Sequence, residues 1–152
     1  MDRDRLRETA EAVMAEHGLI DEGWHLRIGS ACRKFGSCNY SRRRITISGT
    51  LAAINSDAEV MDTILHEVAH ALCSPGVGHG LLWRHEFLRI GGNGSRLGSY
   101  RTPPKKFLGT CPGCKVTLRR NRRSTSACGR CCAEHNGGEW TEKFKWEWER
   151  VA

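Results

Sequence analysis

Apolar positions recur at helical spacing in three stretches of the chain and alternate in three others, which predicts a mixed α+β fold. Leu6, Ala10, Val13 and Met14 give a first helix one apolar face, and Gly18 ends it. Trp24 to Ile28 alternates, as does Arg44 to Ser48, so a small sheet is expected after that helix. Val60, Met61, Ile64, Leu65, Val68, Ala69 and Leu72 then mark a long helix, with Ser56 or Asp57 as its N-cap. The turn-forming run Ser74-Pro75-Gly76-Val77-Gly78 separates it from a shorter helix over residues 81–90. Near the C-terminus Phe144, Trp146 and Trp148 alternate with Lys145, Glu147 and Glu149, the pattern of a strand with one aromatic face. Packing is the expected use of that face, ahead of stacking on single-stranded bases.

The long helix carries His66-Glu67-Val68-Ala69-His70. Helical residues four apart lie one above the other, so His66 and His70 can offer ring nitrogens to one metal ion while Glu67 stands beside it. Two histidines at a core edge can also be plain hydrogen-bonded polar residues. The apolar periodicity on both sides of the pair favours the metal reading. A catalytic zinc keeps three protein ligands and an open position, so a third ligand must come after the chain turns back. His79 follows the turn at once and is the expected ligand, with Glu86 and His85 on the next helix as alternatives. Zinc at such a site activates water and polarises a carbonyl, and Glu67 is the expected general base, which makes a hydrolytic centre. Tyr40, Arg84 and Tyr100 are unranked candidates for the group that stabilises an oxyanion.

Eight cysteines add a second metal signal. Cys111-Pro112-Gly113-Cys114 and Cys128-Gly129-Arg130-Cys131 are two C-x-x-C knuckles separated by thirteen residues, the spacing of a zinc ribbon. Four thiolates close the coordination shell, so this zinc is expected to be structural. Cys132 can replace Cys131, and His135 is a remoter substitute. Disulfides are the competing reading. The charged opening Met1-Asp2-Arg3-Asp4-Arg5 is not a secretory leader, so a reducing, cytoplasmic location is expected, with nucleoid association compatible with the charge. Cys32, Cys38 and Cys73 read as ordinary thiols.

The net charge of +7 is concentrated late in the chain. From Arg101 to Arg130 there are nine Lys or Arg residues and no Asp or Glu. Lys115, Arg119, Arg120, Arg122 and Arg123 are therefore the expected phosphate contacts of a sequence-independent DNA interaction. A solvated basic loop is the blander alternative. Arg42, Arg43 and Arg44 form a smaller cluster that fits an exposed strand edge. No internal repeat and no membrane-length apolar run occurs.

His66-Glu67-x-x-His70, Gly78-His79-Gly80 with Trp83 behind it, Gly36-Ser37-Cys38-Asn39-Tyr40 leading into Arg44-Ile45-Thr46-Ile47, and the later cysteines together span most of residues 20–132. In these features the chain resembles the SprT-like family of zinc metallopeptidases, the group that includes the eukaryotic Spartan protease acting on DNA–protein crosslinks. The link between His70 and His79 is shorter than in some members. The resemblance implies His66, His70 and His79 as zinc ligands, Glu67 as general base and a second zinc in the ribbon. It implies a small zincin-like domain at residues 1–95, a linker at 96–106 and a β-rich ribbon with an aromatic strand at 107–152. A monomeric zinc endopeptidase brought to protein substrates on DNA is the expectation. The alternative is a nucleic-acid-binding adaptor whose peptidase-like domain does not cleave.

Overall fold

The structure, a computed structural model, describes all 152 residues. It divides into two compact units, residues 1–103 and 104–152. Both mix helices with a small sheet, as the α+β expectation requires.

In the first unit, helix α1 (Arg3–Glu16) is capped by the Asp2 carboxylate and ends where Gly18 takes a positive φ of 72°. Strands β1 (His25–Gly29), β2 (Gly36–Asn39) and β3 (Arg44–Ser48) form a sheet in the order β1-β3-β2. β3 runs parallel to β1 and antiparallel to β2, which leaves β2 as an edge strand. A short helix α2 (Gly49–Ala52) leads to α3 (Asp57–Leu72), and α4 (Leu81–Arg89) completes the series. The Ser56 hydroxyl and the Glu59 carboxylate cap α3 reciprocally, which decides between the two expected cap residues. Leu6, Ala10 and Met14 of α1, Ile45 and Ile47 of β3, and Val60, Ile64 and Val68 of α3 meet in one core closed by Trp24, Phe35 and Leu51. A smaller cluster of Ala69, Trp83 and Phe87 joins α3 to α4.

The stretch expected to link the units belongs largely to the first of them. Tyr100 packs edge-on against Phe35, with ring centroids 5.1 Å apart. The buried Asn55 amide pairs with both backbone groups of Arg101, accepting from its N–H at 2.7 Å and donating to its carbonyl at 2.9 Å. Such contacts anchor residues 96–103, so the boundary falls between Pro103 and Pro104.

In the second unit, strands β4 (Phe107–Thr110), β5 (Thr117–Arg120) and β6 (Glu147–Arg150) form an antiparallel sheet in the order β5-β4-β6. A seven-residue helix, α5 (Gly129–His135), starts within the second cysteine knuckle of the ribbon expected to be β-rich. The aromatic run is also less regular than its alternation suggests. Phe144 ends a 3-10 turn (Glu142–Phe144) started by the Thr141 hydroxyl, and only Trp148 lies within β6. Phe144 and Trp146 are nevertheless buried among the cysteines, the packing role expected of them. No helix of the chain is long and apolar enough to cross a membrane.

Candidate active site and metal centres

Helix α3 carries His66, Glu67 and His70 on adjoining faces, and the packing around it determines where each can point. Glu67 is buried, on the side of the helix that packs against β2. Gly36 on that strand has no side chain to spare. A Cβ there would lie 2.5 Å from Glu67 Oε1 and 2.6 Å from its Cγ, so only glycine lets the carboxylate rest against the strand. Tyr40 fixes the end of the helix, its hydroxyl donating to the His70 carbonyl at 2.6 Å.

His79 reaches the same place from the turn after α3. Gly76 and Gly78 adopt φ of 90° and 59°, conformations that reverse the chain within a few residues and would strain other side chains. His79 Nε2 then lies 3.0 Å from Nε2 of both His66 and His70. The three nitrogens meet with no competing oxygen in the group. Their spacing is close to the edge of a tetrahedron of zinc–nitrogen bonds, about 3.3 Å. Trp83 forms the floor, with ring centroids 4.7, 5.4 and 4.6 Å from those of His66, His70 and His79. Its indole N–H donates to the His66 carbonyl at 3.4 Å. Burial, reinforced by neighbouring imidazoles, holds His66 and His70 down to about 4, so both rings are neutral near pH 7, the form that binds a metal. Burial pushes the Glu67 carboxyl the other way, up to about 7, against a smaller opposing pull from Lys34.

The site opens into a cleft of about 650 Å³ bordered by Gly36, Ser37 and Cys38 of β2 and by Gly76, Gly78 and His79 of the turn. Lys34, Arg96 and Leu97 line it as well, and all three were missed in the sequence. The alternative third ligands lie elsewhere. Glu86 is tied to Arg89 at 2.8 Å, and His85 is an exposed neighbour of Glu86. Among the oxyanion candidates Tyr40 lines the cleft, Tyr100 donates its hydroxyl to the Arg33 carbonyl, and Arg84 is not among the lining residues.

The SprT-like family matches residues 14–105, well over half of the chain and the whole of this site. The chain belongs to the SprT-like family. Its first unit is accordingly a metallopeptidase-like domain. No curated protein and no solved structure matches the chain.

Beyond residue 105 this SprT-like chain carries a cysteine centre outside the family match. Cys111 and Cys131 place their sulfurs 3.7 Å apart, Cys114 and Cys128 3.8 Å apart, and all four sulfurs lie within 4.8 Å of one another. A tetrahedron of zinc–sulfur bonds has edges of about 3.8 Å, so the donor set fits a tetrahedral metal ion. Cys131 completes the group. Cys132 is buried beside it among Phe144 and Trp146. Gly113 lets the first knuckle close, since a Cβ there would come within 2.9 Å of the Phe144 ring.

The expected DNA contacts do not form a single patch. Arg119 and Arg120 are exposed neighbours on edge strand β5 and project from opposite faces of the sheet. Register places Arg119 in line with Leu108 and Glu149, and Arg120 in line with Phe107 and Arg150. The Arg123 guanidinium stacks over the Phe107 ring at 5.1 Å. Arg122 is exposed just beyond the strand, and Lys115 is exposed within the first knuckle turn at a φ of 58°. The Phe107 face thus collects Arg120, Arg123 and Arg150, whereas the Arg119 face includes Glu147 and Glu149.

Proposed function

We propose that this chain is a zinc endopeptidase that hydrolyses peptide bonds of proteins bound or crosslinked to DNA. The observation that carries the reading is the meeting of His66, His70 and His79 nitrogens beside the Glu67 carboxylate in an open cleft. His66, His70 and His79 would hold the catalytic zinc, and Cys111, Cys114, Cys128 and Cys131 a structural one. The catalytic ion, when bound, supplies a Lewis acid for the attacking water and the scissile carbonyl. Edge strand β2 offers unpaired backbone groups along the cleft, so an extended polypeptide can pair with it and be held across the site. Glu67 receives the proton of the attacking water on its carboxylate and returns it to the leaving nitrogen. Gly36 keeps that carboxylate against the strand where the substrate lies, and Trp83 holds the three imidazoles from beneath. Arg120, Arg122, Arg123 and Arg150 of the second unit engage DNA phosphates without reading sequence.

The test compares wild type with Glu67→Gln, at matched zinc content, on a protein that carries both basic and acidic segments, bound to DNA and free. The variant is expected to keep zinc, fold and DNA affinity while cleavage falls by about 10²- to 10⁴-fold. Equal cleavage by the two proteins would sink the mechanism. Tight DNA binding without cleavage by either would replace the peptidase with an adaptor.

A further inference from the structure

The cleft is walled on one side by a segment whose Gly-rich sequence reads as a linker. Asn93 fastens it to α3, its backbone N–H and side-chain amide donating to Asp62 at 3.1 and 2.8 Å. Tyr100 fastens the other end, through its contact with Phe35 and its hydrogen bond to the Arg33 carbonyl at 2.9 Å. That tyrosine therefore ties the strap to the segment entering β2, and each of the two contributes one exposed cation to the cleft lining. Lys34 comes from the entry to β2 and Arg96 from the strap, and both line the main cleft and an adjoining hollow of about 230 Å³ with His66 and Glu67.

The only acidic residue that lines the main cleft is Glu67, which is buried against Gly36. Asp62 lines the adjoining hollow but not the main cleft, and both of its carboxylate oxygens accept from Asn93. Neither Lys34 nor Arg96 takes part in an internal ion pair. The exposed charges that border the main cleft are therefore the two cations. We propose that Lys34 and Arg96 make the cleft select polypeptide segments with acidic side chains beside the bond presented to Glu67. A polypeptide fits this cleft better than an oligonucleotide does. Edge strand β2 supplies main-chain partners, Leu97 is 79% exposed for an apolar side chain, and the lining aromatics Tyr40 and Tyr100 are packed on Trp24 and Phe35 rather than free for base stacking. The inference rests on the peptidase reading, which names the bond but not its neighbours.

The experiment measures fluorescence anisotropy of labelled decapeptides that differ only in carrying Glu, Gln or Lys at two central positions. The binder is the full zinc-loaded chain with Glu67→Gln, so that bound peptide stays intact. Affinity is expected to fall in the order Glu, Gln, Lys. Lys34→Glu and Arg96→Glu, added singly, should each shrink the Glu-to-Lys ratio about five-fold, the yield of one exposed ion pair, and together should invert it. Lys34→Gln and Arg96→Gln should give intermediate ratios. An unchanged ratio in these variants, or tightest binding of the Lys peptide by the starting protein, would overturn the proposal. So would displacement of the Glu peptide by a decathymidylate whose binding depends on the same two cations. Cleavage of the peptides with Glu67 intact is scored separately. Selective binding without cleavage would overturn the peptidase reading alone, and cleavage without charge preference would overturn this inference alone.

Discussion

In the first unit three imidazoles lie at the edge of a body whose core is already closed by Leu6, Met14, Ile45 and Ile64, whereas in the second unit the cysteines are themselves much of the core. His79 is exposed, and its two partners are half-buried at the mouth of a cleft. Cys111, Cys128 and Cys131 are shut in with Phe144 and Trp146. Three donors leave a coordination position for a reagent, and four leave none. A site that must admit substrate needs a fold that stands without its metal, while a closed site can lend its binding energy to folding.

Metal removal is the severest challenge to this contrast. Chelation is expected to unfold residues 104–152, which forfeit about 10–16 kcal/mol of metal-coupled folding energy, and to leave residues 1–103 folded. Amide hydrogen exchange reads the units separately, and equal loss of protection in both would erase the distinction. Trp83→Ala comes next. Removing a buried indole should cost the first unit about 3–5 kcal/mol in a denaturant melt. It should also weaken metal binding at the imidazoles by about 10- to 100-fold, because Trp83 orients the rings without binding the ion. Metal affinity that survives intact would mean that the helix and the turn hold the triad without their floor.

Gly36→Ala separates proton transfer from metal holding. The added methyl displaces the Glu67 carboxylate, so cleavage should drop about a hundredfold with metal content unchanged and stability lowered by about 1–3 kcal/mol. Normal turnover would show that Glu67 has room elsewhere. Ser56→Ala should have the smallest effect, about 1 kcal/mol at pH 7, by removing half of the α3 capping box. Hydrogen bonds from the Ser56 hydroxyl and backbone hold Glu59 below its ordinary 4.5. A carboxylate depressed in the folded state stabilises above its unfolded pKa and loses that contribution as pH falls through the folded value. The gap between variant and wild type should therefore narrow in acid, and thermal melts across that range check it.

What the sequence disclosed was local. Ile45 and Ile47 marked β3, Ser56 and Asp57 bracketed the start of α3, and the spacing of His66, His70 and His79 anticipated a cluster that forms across one turn. What it hid depends on pairs far apart in the chain. Asn55 and Arg101 are 46 residues apart and Asp62 and Asn93 are 31, so nothing near Arg96 or Leu97 signals that they border a cleft. Gly91 through Ser95 and the two prolines at 103 and 104 punctuate the chain as a linker would, and long-range hydrogen bonds override that signal. Gly36 is legible as a glycine but not as a cradle until Glu67 lies across it. In the second unit, seven residues rich in cysteine carry too little periodicity to announce α5. Phe144 keeps the two-residue rhythm of a strand while Thr141 turns its backbone into a 3-10 helix.

The Asn55 clamp also has a mechanical meaning. Its amide grips Arg101 two residues before the boundary, through one hydrogen bond given and one received, as a neighbouring strand would. A pull on the chain beyond Pro103 is therefore borne first by Asn55 and the α2–α3 junction that holds it. The strap from Asn93 to Tyr100 stays slack behind that anchor, and tension leaves the wall of the cleft in place until the clamp gives way.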